Sequence, residues 1–252
     1  MYLMVMEISR LHGSWWAAGA PRLALAGVIT ALFATLGYTV RGVNRSGMVA
    51  GAAVCLALFA AAGPPAFMAL LALFVVTWVA TRIGRSKKQR LGTAERREGR
   101  SASQVVANLG AAAVCAVLFA LRGEAWWLLA SAAAMAEAAA DTVSSELGQA
   151  FSRRALLITS LETVPPGTDG GISIRGTAAG VVAACLMSAV CAASGMIPLS
   201  WAPIAALAGV FGMLVDSFLG ALFERNGRVG NDAVNFVSTV AAVIGVSAFR
   251  LL

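Results

Sequence analysis

Eight apolar stretches, separated by short polar segments, constrain the fold of this chain more than any other feature. Since about 20 helical residues cross a bilayer core of about 30 Å, each stretch is a candidate transmembrane helix. We predict an all-α fold, a polytopic membrane helix bundle of about eight segments in one integral-membrane domain. The second segment is short and ends at Gly63, Pro64 and Pro65, which block continuation of a helix. The predicted segments cover residues 23–40, 48–62, 66–82, 103–121, 125–147, 177–196, 202–223 and 233–252.

Charged residues are too sparse for a soluble protein of this length. They make up 12% of the 252 residues, whereas a soluble domain carries about 25%. The four cysteines all lie in apolar stretches, so we predict buried free thiols rather than a metal cluster. His12, the single histidine, lies near the N-terminus, so a mechanism based on histidine is not expected.

The distribution of Lys and Arg predicts how the chain crosses the membrane. With eight segments, fifteen of the 19 basic residues fall on one side and four on the other. The positive-inside rule places the fifteen in the cytoplasm and both termini outside, in a bacterial or archaeal cytoplasmic membrane. The net charge of +7 therefore reflects topology, and nucleic acid is not expected as a partner.

Three polar segments flank or connect the predicted helices. Residues 1–20 are a candidate interfacial helix, residues 83–101 a basic cytoplasmic loop, and residues 148–176 a Pro- and Gly-rich cytoplasmic loop. The basic loop is either a solvated segment that touches anionic lipid or a surface that attracts phosphates. The sequence leaves both interpretations open.

Carboxylates inside two of the apolar stretches are costly in a membrane and indicate a function. At 1.5 Å per helical residue, Asp141 lies about 21 Å and Asp216 about 22 Å from the predicted outer boundary. Two carboxylates at one depth on separate helices favour a shared cation, with structural pairing to polar neighbours as the alternative. Glu137 lies near the midplane, as a protonated acid within the bundle or as a functional group. Glu146 reaches the cytoplasmic boundary.

The Pro- and Gly-rich loop after the fifth segment has features of a phosphate site. Its glycines let backbone N–H groups approach a ligand, and it leads into a helix N-terminus, where the dipole favours an anion. Arg175 adds a positive charge. An ordinary connection is the alternative, because turns between helices also use Pro and Gly. The candidate ligand-binding residues here are Gly167, Thr168, Gly170, Gly171, Ser173 and Thr177.

Polar amides begin two other segments on the same side. Asn231, Asp232 and Asn235 start the last segment, where either Asn231 or Asp232 caps the helix or these residues contact a ligand. Gln104 and Asn108 share one helix face, where they either join helices or line a site. Because all these polar residues converge on the basic side, the sequence predicts a site that faces the cytoplasm.

Four motifs connect this chain to a known family. They are ADTxxSELG from Ala140, VPPGTxGG from Val164, DSxLGA from Asp216 and GNxxVN from Gly230. They resemble the transmembrane protein 19 family of integral membrane proteins, which also includes the chloroplast phytyl-phosphate kinase. More remotely, their order is similar to phytol kinase and dolichol kinase, which use CTP. The resemblance implies that an isoprenoid monophosphate is phosphorylated to a diphosphate, with CTP or another nucleoside triphosphate and Mg²⁺.

This resemblance also implies roles for the candidate residues. Asp141, Asp216 and Glu146 would hold Mg²⁺, and Arg175 would offset charge during transfer. The glycine loop, with Asn231 and Asn235, would bind the nucleotide, and the partners would be a lipid phosphate and membrane lipids. An ion-coupled transporter or lipid-phosphate flippase is the alternative, since buried acids and interrupted helices are also typical of transporters. A structural membrane scaffold is a third possibility.

Overall fold

The computed structural model describes residues 19–248, which form a helical bundle with a small sheet at one end. The predicted membrane bundle is confirmed: five helical segments are long and apolar enough to cross a membrane, and Asn231–Ser247 is a shorter apolar helix. Most of the interfacial helix predicted for residues 1–20 lies outside the described residues. The helices are α1 (Gly19–Thr39), α2 (Arg45–Arg82), α3 (Arg85–Leu91), α4 (Ala102–Arg122), α5 (Trp126–Phe151), α6 (Ile174–Ala193), α7 (Ala202–Leu219) and α8 (Asn231–Ala248).

Helix α2 is a hairpin of two membrane spans rather than one long rod. Gly63 has φ 75° and ψ −165°, a conformation that only glycine adopts without strain, and two prolines follow it. The Val40 carbonyl, shortly before α2, accepts hydrogen bonds from Trp78 (3.2 Å) and Arg82 (2.7 Å) near its end. Both ends of α2 therefore lie at the same face of the bundle, as expected for the separate predicted segments 48–62 and 66–82.

Helix α5 is the centre of the bundle. It packs against α2, α4, α6, α7 and α8, and residues 128–140 are all buried. Small residues let its neighbours approach closely. A Cβ added at Gly209 of α7 would lie 2.8 Å from the Ala136 Cβ, and one at Gly176 of α6 would lie 2.7 Å from the Ser144 carbonyl oxygen. This packing places the acidic side chains of α5 directly beside α7.

The helix ends that carry most of the Lys and Arg form one surface, the basic face, which comprises residues 40–45, 82–101, 152–173 and 220–230. Its segments touch each other although they are far apart in the chain. The Asn44 amide donates to the Arg100 carbonyl at 3.0 Å, and the Lys87 ammonium donates to the Ser152 carbonyl at 2.6 Å. The loops predicted to lie on one side thus form one continuous surface.

The two long loops predicted on this side contain regular structure. Residues 83–101 include α3, which begins and ends beside glycines with positive φ, Gly84 and Gly92. In residues 148–176, α5 continues to Phe151, and a three-stranded antiparallel sheet with the order β2-β1-β3 follows. Ala155 and Leu157 are buried whereas Leu156 is exposed, the alternation of a strand with one covered side. The strands are β1 (Ala155–Leu157), β2 (Thr163–Val164) and β3 (Gly171–Ile172).

A buried lysine fastens α3 to the bundle. Lys88 is fully buried, donates to the Thr81 carbonyl at 2.7 Å and forms an ion pair with Glu146 at the end of α5. A charge removed from water needs such partners, because it is costly to bury alone. The basic segment is therefore held in place against α5 instead of extending freely into solvent.

Replacing Gly63 with Ala tests the hairpin. A Cβ is strained at this backbone conformation, so we expect the free energy of unfolding to fall by about 1–3 kcal/mol, measured as a lower thermal unfolding midpoint in detergent. The control is Gly27→Ala in α1, where an added Cβ meets no atom within 4 Å and Ala favours the helix. Equal stability of the two variants would contradict the turn at Gly63.

Replacing Lys88 with Met tests how α3 is held. It leaves Glu146 without its cation, so we expect a loss of about 3–5 kcal/mol of unfolding free energy. Adding Glu146→Gln should recover part of this loss in a double-mutant cycle. Arg90→Met, at an exposed position of the same helix, should change stability by less than about 0.5 kcal/mol. Similar losses for Lys88→Met and Arg90→Met would refute the role of the buried pair.

Candidate functional site

A polar cavity of about 490 Å³ opens at the basic face. Its walls come from the segment before α4, from the ends of α5 and α7, from the glycine loop and from the start of α8. It gathers most of the candidate residues from the sequence, although these are spread over nearly a hundred positions. The candidates that line it are Asp141, Glu146, Gly167, Thr168, Gly170, Gly171, Ser173, Asp216, Asn231 and Asn235.

Two aspartates from separate helices meet in this cavity. The carboxyl groups of Asp141 on α5 and Asp216 on α7 lie within hydrogen-bonding reach of each other. The Ser238 hydroxyl of α8 lies 3.2 Å from Asp216 Oδ2 and 2.7 Å from Glu137 Oε1. Since one hydroxyl has one proton, Ser238 donates to one of the two carboxyl groups at a time.

Glu137 has a different position from the two aspartates. Only 1% of its surface is exposed, and it is absent from the cavity lining. A Cβ at Gly212 of α7 would lie 2.5 Å from Glu137 Cγ, so α7 needs a glycine to pass this side chain. Glu137 therefore joins α5, α7 and α8 inside the bundle, while Asp141, one helical turn away, is accessible from the cavity.

Amide side chains form the wall beside Asp216. With its amide oriented to satisfy its neighbours, Asn235 donates to Asp216 Oδ2 at 3.1 Å and accepts from Asn108 Nδ2 at 3.3 Å. Asn108 also donates to the Gln104 carbonyl at 2.8 Å. These amides connect α4 to α8 and line the cavity as well, so the two roles considered for them are compatible.

Arg100 is the cation of the site that sequence reasoning missed. Its guanidinium donates to Thr142 Oγ1 at 3.4 Å and attracts the neighbouring Asp141. Its backbone is fixed by hydrogen bonds with Gly42 and Asn44. The sequence offered no signal for it, because several other basic residues stand in the same segment.

The glycine loop is a compact turn at the rim of the cavity. Gly167 and Gly170 have φ of 91° and 73°, and a Cβ at Gly170 would overlap Ala221. The amides of Thr168 and Gly171 donate within the loop, to the carbonyls of Pro165 (3.3 Å) and Thr168 (2.8 Å). These two amides therefore stabilise the turn, so fewer backbone amides of the loop are left to donate to a phosphate than the sequence predicted. Burial raises the pKa of the Asp169 carboxyl at the same rim.

Several candidate residues have other contacts than the sequence suggested. Arg175 is exposed, donates to the Phe151 carbonyl and, like Thr177, is not part of the cavity lining. Ser173 caps α6 by accepting from the Gly176 amide at 3.1 Å. Glu146 lies at the cavity edge but is already paired with Lys88. Asp141, Asp216 and Arg100 remain as charged side chains of the cavity lining, which also includes Glu95, Arg96, Asp169 and Glu224.

The aspartate pair does not form a complete metal centre with other residues. Within residues 19–248, no group of three or more His, Cys, Asp or Glu side chains is arranged to hold a metal ion. Two carboxylates with neutral hydroxyl and amide neighbours nevertheless suit a hard cation whose remaining ligands come from water or a phosphate.

Sequence comparisons relate the chain to membrane proteins of several lineages. It is 34% identical over 244 residues to an uncharacterized membrane protein of Methanocaldococcus jannaschii, covering 92% of this chain and 96% of that protein. It is 33% identical over 199 residues to one of Synechocystis, with 76% and 77% covered. Protein VTE6, chloroplastic, of Arabidopsis thaliana is 32% identical over 208 residues, with 79% and 62% covered.

The family assignment rests on most of the chain. No solved structure matches the chain. Residues 28–243, which include α2 to α7 and every residue of the polar cavity, match the family described as Integral membrane protein DUF92. Together with the relatives above, this match confirms the family resemblance drawn from the four motifs. The chain belongs to the DUF92 family of integral membrane proteins.

Proposed function

We propose that the protein transfers the terminal phosphoryl group of a nucleoside triphosphate to an isoprenoid monophosphate, forming a diphosphate. The observation that carries this proposal is the meeting of Asp141 and Asp216 in a polar cavity. The resemblance to a family that includes the chloroplast phytyl-phosphate kinase supports the choice of acceptor. The basic face would be cytoplasmic, where nucleotides are available, in agreement with the positive-inside rule.

Asp141 and Asp216 are the residues that would hold Mg²⁺. Mg²⁺ is usually bound through one or two carboxylates together with substrate phosphates and water. Ser238 and Asn235 contribute only neutral groups to Asp216, and Arg100 is the one cation described beside Asp141, so two carboxyl groups facing one guanidinium fit a divalent cation. When bound, the ion would neutralise charge on the phosphates of the nucleotide.

The polar cavity has the size and lining that a nucleotide needs. Its volume of about 490 Å³ lies within the range of roughly 300–1,000 Å³ that is usual for ligand pockets. Asn231 and Gln104 offer hydrogen-bonding amides in its wall, and the turn around Gly167 brings backbone close to the rim. We assign this cavity to the phosphoryl donor.

In the transfer step the chain's own groups would position the reactants and offset charge. An oxygen of the acceptor phosphate attacks the terminal phosphorus, the bond from that phosphorus to the bridging oxygen breaks, and the nucleoside diphosphate leaves with the electron pair. The attacking oxygen is already an anion, so no general base is required. Arg100, half-buried beside Asp141, offsets the charge that develops on the phosphoryl oxygens.

Replacing either aspartate tests the proposal. Asp141→Asn and Asp216→Asn keep the side-chain shape but remove the charge, so we expect kcat to fall about 100-fold or more. The measurement is formation of prenyl diphosphate by the purified protein, with CTP, ATP, UTP and GTP tested against phytyl, geranylgeranyl and farnesyl monophosphates. Glu162→Gln, at an exposed position of the basic face, is the control and should retain activity.

Two outcomes would reject the kinase. One is the absence of diphosphate product from every donor and acceptor pair, although the protein is folded. The other is full activity of Asp141→Asn. If a cysteine placed at Asp141 is labelled from both faces of a sealed vesicle, and a lipid phosphate crosses the membrane, the protein is a transporter instead.

A further inference from the structure

We propose that the acceptor lipid binds in a second cavity, between α1, α2 and α4, with its first isoprene unit inside the bundle and its phosphate at the arginines of the cavity mouth. This inference rests on the proposed function and names the acceptor subsite of that reaction. It selects a single-chain lipid monophosphate as the ligand.

The inner part of this second cavity is apolar and narrow. The whole cavity has a volume of about 100 Å³, and its inner part is lined by Phe33 and Gly37 of α1 and by Gly51, Leu70 and Phe74 of α2. This volume is less than the roughly 150 Å³ of an apolar protein cavity that holds a benzene molecule, so the inner part takes no more than the first branched unit of an isoprenoid chain. The rest of a longer chain would lie in the bilayer beside α1, whose outer side exposes apolar residues such as Leu32 and Leu36.

The mouth of the cavity is strongly basic. Five arginines line it against a single carboxylate, that of Glu95, and none of the five forms an ion pair with a described acidic residue. Arg82 is held in position because its guanidinium lies 3.6 Å from the centre of the Trp78 ring. Guanidinium groups bind phosphate oxygens in a paired geometry. The arginines are Arg41, Arg82, Arg85, Arg96 and Arg100.

The two cavities adjoin each other at Arg100. Glu95, Arg96, Arg100 and Asn108 line both of them, and Arg100 donates to Thr142, the residue after Asp141. A phosphate bound at Arg100 would therefore lie between the apolar inner part of the second cavity and the aspartate pair of the polar cavity. This arrangement directs an acceptor oxygen towards a nucleotide in the polar cavity while the lipid chain points away from it.

The tight packing around the mouth limits the ligand to one chain. A Cβ at Gly42 would lie 2.6 Å from the Phe74 ring, and one at Gly47 would overlap the Arg100 carbonyl. The backbone here already touches the side chains that line the cavity. This packing therefore favours a lipid with one chain at its phosphate over one with two acyl chains, such as phosphatidic acid.

Filling the cavity tests the inference. Gly51→Leu adds a side chain where a Cβ meets no atom within 4 Å, and Gly27→Leu adds the same side chain on the outer side of α1 as the matched control. Binding of farnesyl monophosphate to the protein in nanodiscs is measured without nucleotide. We expect about tenfold weaker binding for Gly51→Leu, unchanged binding for Gly27→Leu, and unchanged nucleotide binding for both.

A second variant tests the charged mouth independently of packing. Arg85→Gln should weaken binding of farnesyl monophosphate about tenfold but leave binding of farnesol, which has no phosphate, unchanged. Dioleoyl phosphatidic acid should not compete with farnesyl monophosphate. Thermal unfolding of each variant establishes that it is folded.

The outcomes separate this inference from the proposed function. Unchanged affinity of both Gly51→Leu and Arg85→Gln, or equal competition by phosphatidic acid, would overturn the acceptor site even if the protein is a kinase. Failure of the wild-type protein to bind farnesyl monophosphate would overturn it as well. Binding that depends on Gly51 and Arg85 without any diphosphate product would support the lipid site and refute the kinase.

Discussion

Carboxyl groups inside an apolar helix bundle are the constraint on which the rest of this structure depends. A charged group near the bilayer centre costs about 2.5–3.5 kcal/mol on insertion scales, so Glu137, Asp141 and Asp216 need polar partners from other helices. Ser238 supplies a hydroxyl to two of them, and Asn235 supplies an amide to Asp216. These partners are within reach because glycine and alanine let α5, α6 and α7 pack with their backbones close together.

The same packing divides the polar groups by depth. Glu137 is enclosed and connects helices, whereas Asp141, one helical turn further along α5, faces a cavity that opens at the basic face. Around that opening, the Lys88–Glu146 pair fixes the segment that leads to Arg100. Rigidly held residues of this kind suit the proposed phosphoryl transfer, because catalysis of such a transfer depends on the position and charge of the groups rather than on a reactive side chain.

Much of this arrangement could be predicted from residue patterns. The length of the apolar stretches predicts the membrane-spanning segments, and the rise per helical residue predicts a common depth for Asp141 and Asp216. Both predictions need only the local geometry of a helix. The role of Arg100 could not be predicted, since its position follows from backbone contacts with residues 42 and 44. The pairing of Glu146 with Lys88, 58 residues away in the chain, could not be predicted from the sequence either. Arg175 follows the glycine loop in sequence, but the packing of α6 on α5 decides where its side chain lies. Its guanidinium donates to the Phe151 carbonyl instead of lining the cavity.

The distance in sequence between Glu137 and Ser238, 101 residues, has a consequence for how the protein is made. A ribosome delivers α5 to the membrane before α7 and α8 have been synthesised. During this interval the most acidic of the described helices lies in the bilayer without the hydroxyl and amide groups that later surround its carboxyl groups. The polar partners of α5 are therefore completed only by the last two helices, and an unfinished chain displays acidic groups that the finished protein satisfies.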